Sequence, residues 1–208
     1  MSREILNGPA GAIEVLVDEA SLPAGAAPRG VALIAHPHPL FGGTMDNKVV
    51  HTLSRAFVQC GWRAVRFNFR GVGKSQGVHD HGRGELDDML ALVQHLAPAE
   101  GALALAGFSF GAYVAASALA SLWPRRQAQT TLLVGLATSR FAVPALPQPA
   151  SSSVLIVHGE VDDTVPLASV LDWARPQSLP VTVLPGADHF FHGQLPILRE
   201  LAVRHIAC

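Results

Sequence analysis

A mostly parallel, twisted sheet with helices on both faces, a fold of the α/β class, is what this 208-residue chain predicts, and three observations predict it. Short, continuously apolar runs alternate with segments of helical spacing, as in repeated β-α units whose sheet is covered on both sides. One apolar run, 102–106, leads directly into Gly107-Phe108-Ser109-Phe110-Gly111, and an alanine-rich helical pattern over 112–122 follows at once. Two later strand-like runs end in loops that carry an aspartate and a histidine.

The elements follow in order. Residues 13–17 alternate apolar and acidic side chains and read as an antiparallel edge strand. The run 31–35 is apolar throughout, which suits a strand buried on both faces. Helical spacing over 47–60 closes at Gly61, and 62–69 is a strand again. Residues 85–96 form a helix with acidic side chains in its first turn, where the helix dipole favours them. The serine strand and its helix come next, then strands at 131–136, 154–157 and 181–184 and a last helix over 195–206. Loop-like composition is confined to 21–29 and 138–153, and there are no internal repeats. With 49% hydrophobic residues, the chain can bury one sizeable core and is expected to form a single domain, 1–208.

Strand, sharp turn with a serine at the apex, then helix is the context that makes G-x-S-x-G a nucleophile elbow. The turn strains the serine backbone, and side chains at the flanking glycines would collide with the neighbouring strand or helix. A nucleophilic serine needs a base, and the base needs an orienting carboxylate. The strand at 154–157 runs into His158-Gly159-Glu160-Val161-Asp162-Asp163, and the strand at 181–184 into Pro185-Gly186-Ala187-Asp188-His189. Asp162 lies 53 residues beyond Ser109 and His189 a further 27, which leaves room for a strand and a helix at each step. Ser109, Asp162 and His189 are therefore the expected catalytic triad.

Four neighbours compete for these roles. Asp163 adjoins Asp162, and its alternative role is to cap a helix that Pro166 begins. Asp188 precedes His189 directly, and adjacent residues seldom present both side chains to one hydrogen bond. His192 follows the strand less closely than His189, behind which Phe190 and Phe191 can pack to fix the loop. His158, at a strand end, reads as a satisfied, partly buried histidine.

Composition narrows the classes further. A formal charge of −1 gives no reason to expect nucleic acid or an anionic membrane as partner. Cys60 and Cys208 do not make a disulfide framework, and a reducing compartment fits better. The first residues lack a basic segment followed by an apolar run, and no apolar stretch approaches the roughly 20 residues of a membrane span. A cytoplasmic protein is the expectation.

Three long motifs, 36–48 (His-Pro-His-Pro-Leu-Phe-Gly-Gly-Thr-Met-Asp-Asn-Lys), 66–75 and 82–88, join the elbow, the aspartate loop and 188–192. On these the chain resembles the small, lidless bacterial serine hydrolases of the α/β-hydrolase superfamily, relatives of the dienelactone hydrolases with serine in place of cysteine. The resemblance implies an α/β-hydrolase fold without a cap domain. It also implies hydrolysis of a small-molecule ester or thioester through an acyl-enzyme, with no cofactor. In capped relatives the cap follows the strand that here ends near Leu136. This chain has about 16 residues there, with three prolines, enough for a flap alone. An open, shallow site for short to medium acyl groups is expected.

The oxyanion hole needs two backbone donors. Phe110, next to the nucleophile, supplies one. In the loop after 31–35, Pro37 and Pro39 have no N–H. Leu40 follows a His-Pro pair as the donor follows His-Gly in related enzymes, and it is the expected second donor, ahead of His38 and Phe41.

Rival signals are weaker. Gly71-Val72-Gly73-Lys74-Ser75 follows a strand as a phosphate loop would. It has Asn68 where that motif needs glycine, and glycines follow where a helix should begin. A tight turn is the expectation there, with Arg70 pairing with Asp87 or Asp88. His36 and His38 lack an acidic partner at metal-ligand spacing, so no metal is expected. A hydrolase-like fold retained as a binding protein, with an idle triad, stays open on fold grounds. A peptidase is less favoured, because no acids are set out to hold an amine.

Overall fold

In the computed structural model of the chain the described residues are 1–20, 22, 23 and 25–207. Cys208 of the cysteine argument and two positions of the first loop lie outside them. The elements are β1 (Ser2–Gly8), β2 (Gly11–Asp18), β3 (Gly30–Ala35), α1 (Lys48–Gln59), β4 (Arg63–Phe67), α2 (Arg83–Leu96), β5 (Ala102–Phe108), α3 (Phe110–Leu122), β6 (Thr130–Val134), β7 (Val154–Gly159), α4 (Leu167–Ala174), β8 (Thr182–Leu184) and α5 (Leu195–Ala207). The strands form one eight-stranded sheet in the order β1-β2-β4-β3-β5-β6-β7-β8. Every pairing from β4 to β8 is parallel.

The apolar runs are continuous because both faces are covered. In β3, Val31, Leu33 and Ala35 enter the core with α2, α3 and α4 side chains such as Met89, Ala115 and Val170. Ala32 and Ile34 enter the opposite core with Phe57 of α1 and Ala202 of α5. Period-2 alternation thus feeds two apolar layers, and the helices lie on both faces as expected. Asn47 caps α1, its side chain accepting the Val49 and Val50 N–H groups, and Gly61 closes the turn at φ 84°.

The N-terminal part differs from expectation. Residues 13–17 are antiparallel to a neighbour but do not form an edge, because β1 pairs along the whole of β2 and β2 pairs with β4. Nor does β2 alternate in exposure: Ile13 to Val17 are all buried, Glu14 included. The Glu14 carboxylate is accommodated by hydrogen bonds from Asn68 Nδ2 (2.8 Å), the Lys74 N–H (3.0 Å) and Arg3 (3.1 Å). A buried charge satisfied in this way looks like a surface residue in the sequence.

The loops after β3, β5, β7 and β8 all leave from the carboxyl ends of parallel strands, the edge where open α/β sheets bind ligands.

Candidate active site

Ser109 sits between β5 and α3 with φ 56° and ψ −117°, a left-handed conformation that a non-glycine residue holds only when its surroundings impose it. Its N–H donates to the Val134 carbonyl of β6 at 2.8 Å, which ties the apex to the sheet. A Cβ on Gly107 would run into the Gly111 carbonyl, and one on Gly111 into the Ala35 and His36 carbonyls. Both glycines are therefore required by close backbone approach. The second approach also seats the loop after β3 against the start of α3.

Three side chains meet at this edge. The His189 Nε2 lies 3.0 Å from Ser109 Oγ, and its Nδ1 lies 2.7 Å from Asp162 Oδ2. The carboxylate can only accept, so Nδ1 carries the proton and Nε2 is free to accept from the serine hydroxyl. All three residues are buried. The His189 ring lies 4.9 Å from Phe108 and 5.2 Å from Phe190, while Phe191 is buried beneath the loop.

Asp162 is held by more than the imidazole. Its Oδ1 accepts the Thr164 N–H (3.0 Å) and the Val165 N–H (2.8 Å). Burial pushes the carboxyl pKa up, but the hydrogen bonds from His189 and Val165 outweigh it and hold the group below its ordinary value. His158 donates from Nε2 to the Val165 carbonyl at 2.8 Å and passes 3.3 Å from Asp162 Oδ2. It is fully rather than partly buried, and burial lowers its pKa, so it lies under the carboxylate as a neutral ring.

The other candidates stand apart. Asp163 is exposed and caps nothing; α4 has no side-chain cap. Asp188 pairs with His192 at 2.6 Å on an exposed surface, away from Ser109.

The two expected oxyanion donors lie at the start of α3 and in the loop after β3. Phe110 opens α3, where the first N–H groups have no intrahelical partner. Leu40 stands in a short 3-10 turn, Pro39–Phe41, its side chain exposed and its N–H donated to His38 Nδ1 at 3.2 Å. That donor, expected at the oxyanion hole, is engaged elsewhere. Among the described residues the His38 N–H has no such bond. The turn folds back because His38 is followed by proline and its ring can reach the next free amide, a matter of local geometry that residue types do not display.

A cavity of about 530 Å³ opens beside Ser109, walled by Phe41, Phe110 and Phe141 and rimmed by His38, His81 and Arg140. The segment after β6 lies alongside it. Phe141 stacks on Tyr113 at 4.8 Å, and Trp173 Nε1 donates to the Val143 carbonyl at 3.2 Å. It is a pinned flap with no cap domain. Residues 71–75 form a tight turn, Gly71 N–H to Ser75 O and Ser75 N–H to Val72 O, and Arg70 pairs with Asp88 through two 2.8 Å bonds.

Known proteins share this architecture. The sequence profile of the X-Pro dipeptidyl-peptidase (S15) family matches residues 16–140. A Xanthomonas campestris α/β serine hydrolase without a lid superposes with a TM-score of 0.87 at 36% identity, over 99% of this chain and 93% of that one. An α/β serine hydrolase homologue from Coxiella burnetii gives 0.80 at 40% identity, over 98% and 96%. An uncharacterized protein of Rickettsia prowazekii is 35% identical over 202 residues, 92% of this chain and 82% of its own length.

Proposed function

We propose that this chain, which belongs to the α/β serine hydrolase family without a lid, cleaves short- to medium-chain carboxylic esters through an acyl-enzyme on Ser109. The observation that carries the reading is the continuous hydrogen-bond chain from Asp162 Oδ2 through His189 to Ser109 Oγ, at 2.7 and 3.0 Å, beside an uncapped apolar cavity. His189 Nε2 takes the hydroxyl proton as Ser109 Oγ attacks the acyl carbon. Asp162 keeps the proton on Nδ1 and stabilises the imidazolium that forms. The imidazolium protonates the leaving alcohol, and a water deprotonated by the same nitrogen releases the acid.

The oxyanion is held by two N–H groups. Phe110 provides one, and we assign the other to His38. His36 Nε2 accepts the Phe69 N–H at 3.0 Å, so its Nδ1 carries a proton and donates to the Pro37 carbonyl at 2.6 Å. In a trans peptide the N–H points opposite to the C=O, so this bond sets the direction of the His38 N–H. Leu40 is the less favoured donor because its N–H is already engaged.

The S15 profile favours a second reading, removal of X-Pro dipeptides. The match stops at residue 140, short of Asp162 and His189. A dipeptidyl peptidase also has to hold a free amino terminus, and no acidic side chain lines the cavity among the described residues. Parallel assays of p-nitrophenyl butyrate, a butyryl thioester and Gly-Pro-p-nitroanilide test this. The ester should turn over and the anilide should not; turnover of the anilide alone overturns the esterase reading.

No helix among the described residues is long and apolar enough to cross a membrane. We place the protein in the cytoplasm, with no nucleic-acid partner; cell fractionation tests the first.

A further inference from the structure

The cavity beside Ser109 has a cationic pole that ester hydrolysis itself does not require. Arg140 lies on the flap directly after β6, at the cavity rim. Its backbone is fixed, because the Arg140 and Phe141 N–H groups both donate to the Ala137 carbonyl and Phe141 stacks on Tyr113. The guanidinium makes no ion pair or hydrogen bond with any described residue. It is an exposed, available fork of donors on a fixed stretch of backbone, suited to a planar carboxylate.

Beside Arg140 stand histidine rings, of which His38 is pushed towards its neutral form by burial and by its neighbour His79. His38 and His81 line the cavity, and the His79 ring lies within 4.8 Å of the first and 5.0 Å of the second. His81 holds φ 52°, an imposed conformation for a non-glycine residue beside a site. The His79 residue is half-buried with its ring covered, its Nδ1 2.8 Å from Glu85 Oε1, and its Nε2 has no partner among the described residues. His79 stands behind the lining rings and does not itself line the cavity. Glu85 does not answer that Nε2 from the other side: its oxygens are occupied by His79 and by the Asp80 and Gly82 N–H groups. Among the described residues no set of side chains here could hold a metal ion.

We infer that this site selects esters that carry a carboxylate, held by Arg140 with His81. The inference rests on the esterase reading above and adds the substrate's charge. A substrate with an apolar middle and an anionic end matches an aromatic wall that finishes in a cationic rim.

The test compares two matched pairs of esters by product release. Monoethyl glutarate against ethyl pentanoate puts the carboxylate on the acyl side. 4-Acetoxybenzoate against its methyl ester puts it on the alcohol side. In at least one pair, Arg140→Ala should lower the anionic-to-neutral ratio of kcat/KM by about tenfold, the low end for a charged hydrogen bond because Arg140 is exposed to solvent. Arg140→Glu should lower the ratio further, Arg140→Lys should restore part of it, and added salt should compress the wild-type ratio. The pair that responds locates the carboxylate. If neutral esters turn over and neither ratio moves with Arg140→Ala or Arg140→Glu, the inference is overturned and the esterase reading stands. If the wild type hydrolyses none of the four, both fall together.

Discussion

The imidazole of His36 is locked to the backbone of Phe69, its Nε2 accepting the Phe69 N–H at 3.0 Å inside the core between β3 and β4. The ring is fully buried and must be neutral to accept. Burial, partly offset by the bond to the Pro37 carbonyl, lowers its pKa from 6.5 to about 4. Unfolding therefore takes up a proton between those two values, and the stability this ring contributes is complete above pH 6.5 and lost as pH falls towards 4. The loss is about 3 kcal/mol from the size of the shift. His158, lowered by burial as well, acts in the same direction. Urea denaturation of wild type and His36→Asn from pH 7 to 4 checks this: the wild-type curve should fall more steeply, whereas parallel curves would contradict it.

The His38 amide can be deleted at a backbone conformation that proline shares. His38 has φ −54° and ψ 122°, which a proline ring accepts. His38→Pro should lower kcat about 100- to 1000-fold with a small change in KM, the cost of one oxyanion donor. His38→Ala keeps the N–H and should retain much more activity. Equal losses in the two variants would return the role to the side chain or to Leu40.

Gly111 is the second point of close approach. A Cβ there meets the Ala35 and His36 carbonyls, both backbone, so Gly111→Ala must push α3 away from the loop after β3. Destabilisation of about 1–3 kcal/mol is expected, as for overpacked core positions, with slower fluorophosphonate labelling of Ser109. A thermal melt and a labelling time course read both effects.

Asp162 and Asp163 are adjacent but should behave oppositely. Asp162→Asn removes the acceptor that keeps the proton on His189 Nδ1 and should lower kcat about 10⁴-fold at neutral pH. Asp163→Ala alters an exposed side chain and should change activity less than about twofold, as surface substitutions do. The Asp162 carboxyl is held below its ordinary 3.8, so the stability it adds is present above that value and is lost only as pH falls through its lower folded value.

The elbow was legible in the sequence because its strain demands glycine on both sides of Ser109, and glycine is visible in a sequence. That Asp162 and His189 lie at the sheet edge that carries Ser109 was legible because each follows a short strand-like run, 154–157 and 181–184, although the second is only half-buried. Most element ends lie within two residues of the expected ones. β1 was missed because Ser2–Gly8 is held by pairing with β2 and stays largely exposed, leaving no apolar pattern to read. The supposed edge at 13–17 failed for the same reason. The direction of the Leu40 N–H was hidden because it depends on how a 3-10 turn folds back on the His38 ring, and no residue type records that.

The measurement that tests the central claim most directly is hydrolysis of p-nitrophenyl acetate, butyrate and octanoate by wild type and Ser109→Ala, with fluorophosphonate labelling of both. Labelling of the wild type alone, ester turnover that falls with chain length, and loss of turnover in Ser109→Ala are the predicted results. Turnover that survives in Ser109→Ala, or folded wild type that neither labels nor hydrolyses any of the three esters, would contradict the account.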